Sequence, residues 1–290
     1  MEPPSTDDAA GGAAPGQQSG TGRLPPVKLW FCADDELTPS LAGALAAHWL
    51  DEYERDVAGR FVFERDRRQY LVAHALLRRV LCLEVGLPEG ELTIRRSSRG
   101  RPFLRRPPGG LPRGRHRLDF SLAHAGGYSL LGVVRRHRIG VDVESLDRGG
   151  RSIQTVARTF TAEEQAWVAA EAPGRRRDHR VLRLWTLKEA YTKARGLGLS
   201  LAFDSFSFTL AAHGVTGFRP PADDSAGRWQ FMELEPVPDV LVAVAVRAGA
   251  TAEPLVELHM GFPWDRAAPR LVALPRPPGT PAAAGPDGFR

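Results

Sequence analysis

Residues 184–199 read LWTLKEAYTKARGLGL. Leu184, Leu187 and Tyr191 recur at helical spacing, and Gly196 stands where a helix would stop, so the pattern predicts a helix ending there. Glu189 and Lys193 are four apart and project from one face of it. An exposed Glu–Lys pair is the ordinary reading of that spacing. Lysine usage points further: the chain has 39 Lys plus Arg, yet lysine occurs only at Lys28, Lys188 and Lys193. Two of those three within one helical segment suggest a site that needs a compact ammonium, not a planar fork.

Upstream, residues 139–144 read IGVDVE. Alternation puts Ile139, Val141 and Val143 on one face of a strand and Asp142 and Glu144 on the other. Neighbouring carboxylates repel unless solvent or a cation offsets them. A half-exposed strand with a solvated acidic face is one reading. The other is a Mg²⁺ cradle completed by Glu189 from the helix.

Together, IGVDVE and WTLKEAYTKARGLGLS resemble the two signature motifs of 4′-phosphopantetheinyl transferases, in the larger, pseudo-dimeric, surfactin-synthetase-activating type. The resemblance runs from about Lys28 to Val246. It implies an α+β fold of two similar halves related by a pseudo-twofold, each an antiparallel sheet with a long helix. A faint echo between residues 60–64 and 158–162 agrees with that, and the join falls near Arg138.

The chain has 290 residues, 42% hydrophobic and 25% charged, enough for one or two compact domains with a substantial core. Apolar runs fall far short of a membrane span, and the N-terminus lacks a signal-peptide pattern. Cys32 and Cys82 are too isolated for a disulfide framework or zinc site, so a cytoplasmic protein is expected. A net charge of +5 favours anionic partners without choosing among them.

Residues 1–26 and 265–290 are poor in bulky apolar residues and are expected to be disordered tails. Residues 27–138 and 139–264 are expected to form the two halves. Helices are predicted over 39–53, over 66–85 with Gly86 as the stop, and over 158–170 with a Thr161–Glu164 capping box. Residues 173–178 are expected to break the pattern before the central helix. Strands are predicted at 27–31, 118–122, 203–210, 229–233 and 240–246. Residues 128–134 and 139–144 read as a β-hairpin around the basic turn at 135–138, and residues 90–117 as an arginine-dense loop.

Within that loop Ser97, Ser98, Arg99, Gly100 and Arg101 combine hydroxyls, a glycine and guanidiniums in a turn suited to phosphate, beside Arg96. The family reads Gly-Lys-Pro here and contacts coenzyme A, and Arg101 stands in the lysine's place. His124 lies at a strand end before two glycines. The family carries a Ser-His pair at this point for the 3′-phosphate of coenzyme A, and this sequence has Ala123 instead of the serine. Ser121 joins the expected coenzyme A contacts, and Arg55 and Arg60 are weaker ones.

The resemblance implies transfer of 4′-phosphopantetheine from coenzyme A to a serine of an apo acyl or peptidyl carrier protein, releasing 3′,5′-ADP. Mg²⁺, with Mn²⁺ as an alternative, would be held by Asp142, Glu144 and Glu189. Glu189 would also serve as base, Lys193 would contact the phosphates, and Lys188 would orient the helix or meet the phosphate. A monomer follows, since one chain holds both halves of the site. Two other classes stay open. A metal-dependent phosphohydrolase would need no protein acceptor, and an arginine-rich nucleic-acid binder would need neither Mg²⁺ nor Glu189.

Overall fold

The computed structural model describes residues 26–105, 118–147, 150–212, 214–248, 255–264 and 270–272. The expected disorder at both ends concerns residues that, apart from Pro26 and 270–272, lie outside these.

The chain enters as β1 (Val27–Ala33), buried along nearly its whole length. The helix predicted over 39–53 divides in two. α1 (Pro39–Trp49) starts at a Thr38 cap with proline in its first turn. It stops because Asp51 caps a new helix, α2 (Glu52–Gly59), in a reciprocal box with Glu54. α3 (Glu64–Val85) follows and ends at the left-handed Gly86 as expected.

The arginine-dense segment is not all loop. β2 (Ile94–Arg96) and β3 (Pro102–Leu104) form a hairpin, its turn closed by Gly100 at φ 82° and by the Arg101 amide on Ser97 Oγ. β4 (Leu118–Ala125) and β5 (Tyr128–Arg135) then pair through Gly126 and Gly127, both at positive φ, as a tight hairpin turn requires.

β6 (Arg138–Ser145) corrects the predicted hairpin with β5. Its ladder partner lies far downstream, and β5 stacks on β6 face to face. A Cβ at Gly132 of β5 would stand 2.4 Å from Val141 Cγ1, so the missing side chain is what admits β6 there. The edge of β6 is held to β4 by side chains: the Ile139 amide donates to Asp119 Oδ2 and the Val141 amide to Ser121 Oγ.

α4 (Gly150–Ala157) was not foreseen, and α5 (Ala162–Ala169) is shorter than predicted because the Thr161 box starts it at Ala162. α6 (Arg175–Arg195) begins inside the predicted break, which shrinks to Pro173 and the N-cap Gly174, and it ends at left-handed Gly196. The strand predicted over 203–210 opens with a 3₁₀ turn, leaving β7 (Ser207–Ala211) to pair with β8 (Gly214–Arg219). β9 (Trp229–Leu234) and β10 (Val240–Arg247) complete a sheet in the order β6-β10-β9.

The chain then crosses back. β11 (Val256–Met260) pairs in parallel with β1, and β12 (Arg270–Val272) pairs with β11, giving the order β12-β11-β1-β5-β4. Residues 256–260 therefore lie in the first sheet, not in a second half ending at 264, and 270–272 is strand where a disordered tail was expected. The open edge of β1 explains both, because its backbone groups need partners.

The protein is α+β, with four layers. α3 covers one face of the first sheet through Trp30, Cys32, Leu131 and Val133. The other face meets the second sheet through Leu29, Phe31, Val141, Val143 and Val244. α6 covers the far side through Leu184, Leu187, Tyr191 and Ala243. Among the described residues no helix is long and apolar enough to cross a membrane.

Candidate active site

Because Val141 and Val143 face the first sheet, strand alternation turns Gly140, Asp142 and Glu144 toward α6. Gly140 sets how close the helix comes. A Cβ there would stand 1.9 Å from the Ala190 carbonyl oxygen and 2.5 Å from the Ala194 nitrogen, so only glycine allows this approach. Helix and strand in contact bring Asp142 and Glu144 beside Trp185, Glu189 and Lys193. The acidic face is not solvated: Asp142 is 6% exposed and Glu144 5%.

Asp142 Oδ1 accepts from Lys193 Nζ at 2.6 Å, while Oδ2 is buried without a hydrogen-bond partner among the described residues. Burial raises its pKa to about 7; Lys193 opposes the shift, and Glu144 and Glu189 add to it. Burial also raises Glu189, with Lys193 opposing and Glu144 adding. Glu144 Oε1 accepts from Trp185 Nε1 at 2.8 Å. Trp185 was missed, although it stands one helical turn before Glu189 on the same face.

The three acids line a cleft of about 910 Å³, faced across by His124 of β4 and by Arg65 and Gln69 of α3. They do not close into the expected three-ligand cage. Among the described residues no three His, Cys, Asp or Glu side chains stand at metal-ligand spacing. Asp142 and Lys193 form an ion pair instead.

His124 presents an open edge to this concave wall. Surrounding protein lowers its pKa, with His74 and Lys193 adding to the effect, and the exposed edge of the ring tempers the shift. Alternation turns Ser121 and Ala123 the other way: Ser121 Oγ takes the Val141 amide, and Ala123 packs between the sheets. Neither faces the cleft as expected of a coenzyme A contact.

Arg101 is not poised for phosphate. Its Nη2 donates to Asp119 Oδ2 at 2.7 Å and to the carbonyls of Phe120 and Ile139, and its Nη1 donates to the carbonyl of Lys193. It therefore ties the β2–β3 hairpin to β4, β6 and the end of α6. Arg96, Ser97, Ser98, Arg99 and Gly100 sit exposed at the hairpin tip. Arg96 donates to the Gly100 carbonyl and lies 5.5 Å from the Tyr53 ring centroid. Arg55 donates to the Leu50 carbonyl, and Arg60 closes α2.

Lys188 faces away from the cleft. It is fully buried, with Nζ 2.7 Å from the carbonyls of Phe203 and Phe206 and 2.8 Å from Glu164 Oε2, over the Phe206 ring. It orients the helix and does not meet phosphate.

Two family models agree with this architecture. The one described as the 4′-phosphopantetheinyl transferase superfamily matches residues 138–245, and the one described as 4′-phosphopantetheinyl transferase, N-terminal, matches residues 38–134. The chain belongs to the 4′-phosphopantetheinyl transferase superfamily and is a transferase. It is 29% identical over 220 residues to the 4′-phosphopantetheinyl transferase HetI of Nostoc sp., covering 76% of this chain and 87% of that one. It is 28% identical over 200 residues to the 4′-phosphopantetheinyl transferase psf-1 of Bacillus pumilus, covering 69% and 80%. A crystal structure of a holo-(acyl-carrier-protein) synthase from Bacillus anthracis in complex with CoA (3′,5′-ADP) is a partial likeness. It has 20% identity and a TM-score of 0.33, and it covers 38% of this chain and 93% of that one.

Proposed function

We propose that the chain moves 4′-phosphopantetheine from coenzyme A to a serine of an apo carrier protein, with Mg²⁺ in the cleft, releasing 3′,5′-ADP. The observation that carries this is Asp142, buried with one oxygen on Lys193 and the other unpartnered, beside Glu144 and Glu189. A buried carboxylate oxygen without a donor fits a hard cation, and Mg²⁺ is typically held by one or two carboxylates plus phosphate oxygens and water. Asp142 would hold it, and Glu144 and Glu189, which line the same cleft but do not stand at ligand spacing in the free protein, would have to turn toward it, with waters and the diphosphate completing the shell. When bound, the cation supplies positive charge to the phosphoryl group under attack.

Lys193 balances charge on the diphosphate as a mobile point charge. The serine Oγ forms a bond to the phosphorus proximal to pantetheine, and the bond from that phosphorus to the bridging oxygen of 3′,5′-ADP breaks. The serine proton goes to Glu189, directly or through a water. Burial raises the Glu189 pKa toward the range of a useful general base. With Arg101 engaged inside the protein, His124, Arg65 and Arg96 would take the nucleotide end. Cleft walls drawn from both halves of one chain support action as a monomer.

The test is intact-protein mass of an apo carrier incubated with coenzyme A and Mg²⁺. The expected result is a gain equal to phosphopantetheine, lost with chelator and with Asp142→Ala or Glu189→Ala. An unchanged mass across acyl and peptidyl carriers would refute the proposal, and coenzyme A cleaved without an acceptor would favour a phosphohydrolase.

A further inference from the structure

The contact between Lys193 and Asp142 assigns the lysine a second task. We infer that Lys193 is a built-in cation that holds metal out of the cleft until a diphosphate draws its ammonium away. Metal and coenzyme A therefore bind cooperatively through this one side chain. The inference rests on the reading of the cleft as a metal–diphosphate site.

Asp142 is buried and shares its cleft with two further acids, so its carboxylate needs a cation at hand. Lys193 Nζ supplies it at 2.6 Å, on the carboxylate that a metal would use. A divalent ion arriving beside an ammonium at that distance meets like charge in a poorly screened cleft. Metal binding to the free protein is therefore weak while the ion pair stands.

The side chain is built to leave. Its backbone is fixed, because the Lys193 carbonyl accepts both from Arg101 Nη1 and from the Gly196 amide. Its flexible side chain is 29% exposed, against 8% for the side chain of Asp142. Rotation about side-chain bonds can thus carry Nζ from Asp142 to a phosphate without moving α6. The diphosphate offers the ammonium a new anion, and departure frees Asp142 Oδ1 to join the unpartnered Oδ2 in taking metal.

Mn²⁺ binding, read as free ion by electron paramagnetic resonance, tests this with coenzyme A present or absent and no carrier. In the protein without coenzyme A, Lys193→Met and Lys193→Gln should each bind Mn²⁺ roughly tenfold more tightly than wild type, a coupling of ordinary size. Adding Asp142→Asn should abolish that gain. Coenzyme A should tighten Mn²⁺ binding to wild type by more than it does in either variant. Two variants of different polarity guard against one that fails to fold. If a folded variant binds Mn²⁺ no more tightly than wild type, while coenzyme A still promotes binding to wild type, the gating role is wrong and the metal site stands. If wild type binds no Mn²⁺ even with coenzyme A, both readings fall.

Discussion

Replacing Lys188 by methionine should destabilise the protein strongly while sparing the cleft. The ammonium is completely buried, with three oxygens at 2.7–2.8 Å: the carbonyls of Phe203 and Phe206 and Glu164 Oε2. Methionine fills similar volume, so cavity formation is a small term and the loss is electrostatic. Glu164 keeps the amides of Thr161 and Phe208 but loses its counter-charge. Breaking a buried pair from one side costs about 3–5 kcal/mol. At roughly 2–4 °C per kcal/mol for a chain approaching this size, the melting temperature should fall by about 6–20 °C. Thermal unfolding with a urea titration measures this, and coenzyme A affinity at low temperature should stay close to wild type. Lys188→Met combined with Glu164→Gln should recover much of the loss, because the stranded charge is then removed. A single variant melting within about 2 °C of wild type, or a double variant no better than the single, would refute the reasoning.

Gly140→Ala should cost about 1–3 kcal/mol or more and depress transfer, because its Cβ would press on helix backbone that cannot turn aside; unchanged melting and rate would show that α6 can shift freely. Arg101→Ala should lower stability and weaken coenzyme A and its dephospho form alike, since the guanidinium serves internal acceptors; selective loss of coenzyme A would return the residue to the 3′-phosphate. Lys193→Arg should lose on the order of 10²–10³ in turnover despite preserved charge, with Lys28→Arg as the silent control, and near-wild-type transfer would make the lysine incidental. Asp142, raised from 3.8 to about 7, holds a proton in the folded protein that the unfolded chain has released. Its stabilising contribution is therefore full below the unfolded value and is lost as pH rises through that window. The stability of metal-free wild type relative to Asp142→Asn should decline from about pH 4 to 7, and a flat difference would contradict the shift.

What the sequence disclosed well was local. Gly86 and Gly196 end their helices in the left-handed region, and the Thr161–Glu164 box starts α5, because each is settled within a few residues. The period-2 pattern of 139–144 also places Asp142 and Glu144 together opposite the apolar face, and the structure shows that α6 covers their side. Pairing partners were another matter. Alternation shows which face of a strand is apolar and says nothing of its neighbour, so β5 and β6, adjacent in sequence, read as a hairpin although they lie in different sheets. The roles of Arg101 and Lys188 are hidden from the sequence for the same reason. Their partners at Lys193, Ile139, Glu164 and Phe206 come from other elements, and nothing local distinguishes a tethered guanidinium from a free one. Asp51 shows a nearer miss: its capping box was visible in the spacing to Glu54, yet the apolar periodicity of 39–53 concealed it.

The parallel pairing of β1 with β11 has a consequence for how the chain is made. β1 can meet β5 once Arg135 has left the ribosome, but its other edge waits for Met260, 125 residues later (260 − 135). At a synthesis rate of roughly 5–20 residues per second, that interval is about 6–25 s. Throughout it the nascent chain carries the unpaired edge of an apolar strand, the kind of surface on which chains associate with one another. Ribosome-bound fragments ending before Val256 should therefore recruit holdase chaperones, and those extending past Met260 and clear of the exit tunnel should release them.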